Sequence, residues 1–163
     1  MYIADKYWNH MIGDSDDSLT LVEYLAAKQK EEISVGEILN DFGVDKLQGN
    51  FRNPDIPLVF TDSEGWETDI HYAICLITDL AAILLECKIN RTVRLRELFD
   101  DIDEEAIAEI RVTATAQELK LIDRALLDFA AAPLAYDMSE MVSEEDMLEM
   151  AAVCDRLRKE LLA

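Results

Sequence analysis

Apolar residues recur along this chain mostly at helical spacing. Ile3, Tyr7 and Met11 stand at i, i+4 and i+8, which predicts a first helix over residues 2–12 with Gly13 as its stop. After the polar, acidic stretch Asp14-Ser15-Asp16-Asp17-Ser18, the residues Leu21, Tyr24, Leu25 and Lys28 share one stripe of a second helix from about Leu19 to Glu32. Ser34-Val35-Gly36-Glu37 has capping-box spacing and opens a short helix through Ile38, Leu39 and Phe42, closed by Gly43.

Residues 43–68 break the pattern, with Gly49, Pro54, Pro57 and Gly65 all falling there. Leu58-Val59-Phe60-Thr61 and Trp66-Glu67-Thr68 read as two strands joined by the turn Asp62-Ser63-Glu64-Gly65. From Asp69 to Cys87 the chain is apolar almost all round, the mark of a central helix. A basic break follows at residues 88–99, with Lys88, Arg91, Arg94 and Arg96 and one short helical turn through Leu95, Leu98 and Phe99. Asp103 then serves as cap for a helix from Glu104 to about Val112, and Val112-Thr113-Ala114-Thr115 weakens helix propensity enough to break it. Gln117 to Ala131 is a strong helix ended by Pro133. Ser143 caps the last one, whose acids Glu144, Glu145 and Asp146 and terminal bases Arg156, Arg158 and Lys159 complement the helix dipole. The expected fold is all-α: one domain over residues 1–163, six or seven helices, and a single short β-hairpin near residues 58–68.

Composition adds charge to this picture. The chain has 163 residues, with 15 Lys and Arg against 35 Asp and Glu, a net charge of −20. Small soluble domains usually carry a magnitude of roughly 2–8. Residues 101–150 alone hold 14 acids against 3 bases. Crowded like charges oppose folding, so a use for the field is the favoured explanation over solubility alone. Binding to a nucleic-acid backbone is disfavoured, since phosphate contacts need surplus Lys and Arg. The most apolar stretch, Ala73 to Leu85, contains Asp79 and is shorter than the about 20 residues a membrane span needs. Met1-Tyr2-Ile3-Ala4-Asp5-Lys6 lacks the order of a secretory signal, and Cys75, Cys87 and Cys154 suit reduced thiols, so a cytoplasmic protein is expected.

Candidate chemistry is sparse. Asp14-Ser15-Asp16-Asp17-Ser18 begins like a calcium loop, but Leu19 and Leu25 stand where glycine and a bidentate glutamate belong, and the stretch from Asp101 fails in the same way. His71, Cys75 and Asp79 repeat at i, i+4, i+8, a spacing that suits zinc but fits a packed helix face better. Asp79 amid apolar residues needs a partner, which Arg91, Arg94 or Arg96 would supply. No nucleophile, metalloprotease or phosphate-loop motif occurs, so no catalysis and no cofactor are expected. Trp66 is different. It sits at a loop or hairpin tip among Asp55, Asp62, Glu64, Glu67 and Asp69, either anchoring an interface or packing back onto the central helix.

Through the acidic stretches Asp14-Ser15-Asp16-Asp17, Asp62-Ser63-Glu64-Gly65-Trp66-Glu67 and Asp100 to Glu105, the chain resembles the cytoplasmic immunity proteins of bacterial polymorphic toxin and contact-dependent growth inhibition systems. The resemblance is one of overall character. It implies a non-catalytic inhibitor of a cognate basic toxin, a nuclease, whose positive cleft is covered directly without nucleic acid or membrane. The contact residues it suggests are Glu64, Trp66, Glu67, Asp100, Asp101, Asp103 and Glu104. Two other readings stay open. One is an acidic mimic of DNA that would occupy many DNA-binding proteins. The other is a helical scaffold whose four methionines between Met138 and Met150 make a soft apolar surface.

Overall fold

The computed structural model describes residues 1–103 and 105–163, and within them helices dominate. The central helix is α4, Ala73–Asn90, buried on every face from Ala73 to Glu86. Against it lie α6, Ala116–Ala131, and α7, Glu144–Leu162, which also pack on each other. The short α1, Tyr2–Lys6, and α2, Asp16–Lys28, cover other sides of α4. Serine and threonine side chains cap the helix starts: Ser143, as the sequence marks, accepts from Asp146 N–H, and Ser15 and Thr115 do the same for Ser18 N–H and Glu118 N–H. Helix α4 has no such cap of its own. The buried Asp17 of α2 takes that role, its two oxygens accepting from the amides of His71 and Tyr72 at 2.8 and 2.9 Å. At the other end of α4, the Lys88 ammonium donates to backbone oxygens of Glu160, Leu161 and Ala163, the carboxyl end of α7.

Sheet is present where none was expected. Strand β1, Glu32–Ser34, pairs in parallel with β5, Glu109–Thr113, which pairs antiparallel with β4, Val93–Arg94. The fold is therefore helical with two small sheets, and the all-α expectation is corrected. Residues 109–112 do not belong to a helix capped by Asp103. Ile110 and Val112 point inward while Glu109 and Arg111 face out, an alternation of period two that β-branched residues favour. Likewise α2 stops at Lys28, with Gln29 left-handed, and the chain becomes β1 before Ser34 caps α3, Val35–Asp41. The hairpin stands where expected, but its second strand runs further: β2, Leu58–Thr61, pairs antiparallel with β3, Glu67–Ile70, so Asp69 and Ile70 belong to the strand and α4 starts only at Ala73. Helix α5 is the short turn Leu95–Leu98.

The N-terminal helix is shorter than its periodicity implies. Ile3, Tyr7, Trp8 and Ile12 are all buried, and on one straight helix they would span about half its circumference. Instead the chain turns back after Tyr7. Asn9 N–H donates to Ile12 O at 2.6 Å, and Asn9 and Met11 take positive φ. Gly13 then passes directly over the Trp8 indole at φ +79°, where an added Cβ would lie 2.2 Å from the ring. Both the backbone conformation and the missing side chain are required there.

Candidate partner-binding surface

The hairpin is an arm with an apolar root and an acidic tip. Leu58 and Ile70, opposite each other at its base, are buried. Phe60 packs edge-on against Tyr24 of α2 at 5.2 Å between ring centres, and against Phe42 at the end of α3. Residues 61–69 are all exposed. The tip is nonetheless ordered by its own bonds. Asp62 Oδ1 accepts from the amides of Glu64 and Trp66, both at 2.9 Å. Gly65 N–H donates to Asp62 O, and Gly65 supplies the φ of +87° that a three-residue hairpin loop needs at that position.

Trp66 is 73% exposed at this tip, so it does not pack back onto the central helix. Asp62, Glu64, Glu67 and Asp69 surround it in sequence, and the chain has no lysine or arginine from residue 53 to residue 87. The only basic group paired with these acids among the described residues is His71, 3.8 Å from Asp69. A large exposed aromatic ringed by unneutralised carboxylates matches the anatomy of an interface anchor with a steering rim.

The second expected segment is separate. Phe99 meets Trp8 edge-on at 6.1 Å and Ile102 is buried, so the backbone is anchored while Asp100, Asp101 and Asp103 stay exposed. Asp103 does not cap a helix. Its carboxylate accepts from Glu105 N–H at 3.0 Å in a local turn, and its carbonyl accepts from Arg96 and from Ala106 N–H. Glu104 lies outside the described residues. No hydrogen bond, ion pair or ring contact joins this segment to the hairpin among the described residues. The structure thus brings Glu64, Trp66 and Glu67 together on one rigid tip, and groups Asp100, Asp101 and Asp103 elsewhere, after α5.

The remaining sequence candidates resolve into structure. His71 precedes α4, with its side chain exposed and Nδ1 3.1 Å from Asp17. Among the described residues, no group of three or more His, Cys, Asp or Glu is placed to hold a metal ion. Asp79 is 1% exposed and takes no arginine, contrary to expectation. Arg91 lies 12 positions on, about 18 Å along the helix, and Arg94 pairs with Glu97 and Glu109. Asp79 instead accepts from Ser18 Oγ–H at 2.6 Å and Gly13 N–H at 3.2 Å. Burial outweighs those two bonds and pushes its carboxyl up to about 7, with Asp17 and Asp14 adding to the rise. Burial also raises the thiols of Cys75, Cys154 and the half-buried Cys87, so they are held protonated and are poor nucleophiles. Met138, Met147 and Met150 are buried, which leaves Met141 as the exposed one of the four. The exposed acids Glu144, Glu145 and Asp146 pair with no base among the described residues.

No helix among the described residues is long and apolar enough to cross a membrane. No curated protein and no solved structure matches the chain. A family model described as Immunity protein 68 matches residues 2–161. That span runs from the start of α1 to the last turn of α7, the acidic hairpin and the segment after α5 included. The chain belongs to the Immunity protein 68 family and is an immunity protein of a toxin system.

Proposed function

We propose that this protein acts in the cytoplasm as a single acidic domain, residues 1–163, and neutralises a cognate basic nuclease toxin by covering its active site, without catalysis and without a cofactor. The observation that carries this reading is the hairpin tip, where Trp66 stands exposed among Asp62, Glu64, Glu67 and Asp69, none of which pairs with a lysine or arginine among the described residues. A nuclease must grip a polyanion, so its cleft is positive, and an acidic arm of fixed shape is its electrostatic complement. Trp66 would be the desolvated anchor, with Glu64 and Glu67 as its rim. Asp100, Asp101, Asp103 and Glu104 would add a second acidic contact, steering the toxin at distance and meeting it at its edge.

The test is capture of partners from the native cell with washes of rising salt, followed by nuclease assay of the captured protein with and without this chain. One basic partner, released at high salt and inhibited stoichiometrically, is the expected result. A captured toxin that cleaves no nucleic acid would remove the nuclease assignment. A spread of unrelated DNA-binding proteins would replace it with mimicry of DNA.

A further inference from the structure

A cavity of about 200 Å³ opens between the loop after α1, the start of α2, the middle of α4 and the start of α7. Three methionines, Met11, Met138 and Met150, line it, Asp79 lies on its α4 side, and Asp14 and Asp146 border it at exposed positions. No lysine, arginine or histidine lines it. This is an unusual combination: thioether walls, three carboxylates and no cation. Asp79 uses two acceptor sites, for Ser18 and Gly13, of the about four that a carboxylate offers. A buried carboxylate without a cation costs stability that an apolar or amide side chain would restore, so its presence points to a use.

We propose that this cavity is a socket for one basic side chain, lysine or arginine, of the protein partner. The aliphatic stem would lie along the methionines, whose flexible thioethers adapt to it, while the cation reaches Asp79 past Asp14 and Asp146. The volume suits such a side chain, being that of about six or seven liquid waters. The socket lies on the loop that Trp8 and Gly13 hold in place. It gives the interface a specific lock in addition to long-range steering. This inference rests on the reading that the partner is a basic protein.

The experiment uses the full chain with ¹³C-methyl-labelled methionine, followed by NMR above neutral pH. The probes are the Nα-acetyl methylamides of lysine and arginine, with the norleucine compound as the uncharged control. Saturable shifts of the Met11, Met138 and Met150 methyls are expected with a cationic probe, at about millimolar strength. They should be absent with norleucine and weakened at least about tenfold in Asp79→Asn. Val142→Phe, which narrows the cavity wall without touching Asp79, should abolish them too. Equal shifts with norleucine, undiminished binding in Asp79→Asn, or no shift with either cationic probe would each overturn the socket. None of these results bears on capture of the toxin, so a chain that holds its toxin but ignores both probes loses the socket alone.

Discussion

Replacing Asp79 by asparagine should stabilise this protein, and only at the pH where the carboxylate would be charged. The Asp79 carboxyl ordinarily titrates at 3.8 and is raised to about 7 in the fold, first by burial and further by Asp17 and Asp14. A folded state with the higher pKa holds the proton more tightly. Asp79 therefore contributes fully below pH 3.8, and that contribution is lost as pH rises through 7. The gap of about three units corresponds to about 4 kcal/mol by pH 8.5, at about 1.4 kcal/mol per unit. Asparagine removes the charge and keeps the bonds. Its carbonyl accepts from Gly13 N–H, its amide donates to Ser18 Oγ, and the Ser18 hydroxyl turns to Ser15 Oγ, already 3.0 Å away. Urea unfolding of both proteins from pH 4 to pH 8.5 gives the difference directly, and the titrations of the other carboxylates cancel in it. The variant should gain about 2–4 kcal/mol at pH 8.5 and differ by less than about 1 kcal/mol at pH 4. A difference that does not change with pH would mean that burial does not raise the Asp79 carboxyl. So would a variant less stable at high pH, since the bonds from Ser18 and Gly13 would then outweigh burial.

Three further substitutions test the fold itself. Gly13→Ala puts a Cβ into the Trp8 ring at a left-handed position, and thermal unfolding should show a loss of about 2–4 kcal/mol together with a shift in buried tryptophan fluorescence. Ile110→Ala empties an inward position of β5 and should cost about 2–5 kcal/mol by urea unfolding, whereas Arg111→Ala on the outward side should cost under about 0.5 kcal/mol.

Much of this architecture is legible in the sequence, and the failures share a cause. Ser34, Ser143 and Pro133 mark helix ends by local chemistry, and the structure uses them at those positions. The hairpin is readable because its turn needs glycine at the left-handed position and Gly65 stands there. The sheet β1-β5-β4 was missed because its strands have three, five and two residues, too short for a period to show beside helical neighbours. Ile110 and Val112 do carry the alternation, but acids before them read as a helix start. At the candidate surface, sequence places Trp66 on a tip but leaves open which way it faces. That is settled by tertiary packing: Phe60 roots the arm on Tyr24 and Phe42, while Trp66 at the tip stays 73% exposed. The fate of Asp79 is tertiary as well. Its partners come from the first turn of α2 and from the loop before it, 61 and 66 positions earlier in the chain, and no spacing rule on α4 could point to them.

Whether the acidic hairpin tip engages a basic toxin is read from the rate of association with the captured toxin as a function of salt. For the unaltered protein, association should approach about 10⁸ M⁻¹s⁻¹ at low salt and fall steeply as salt rises. In the double variant Glu64→Lys, Glu67→Lys, association should be slower and the salt dependence flatter, while in Trp66→Ala dissociation should quicken by a factor of about 30 or more. Rates and salt slopes unchanged by reversing Glu64 and Glu67, with dissociation indifferent to Trp66, would place the toxin contact elsewhere than the hairpin tip.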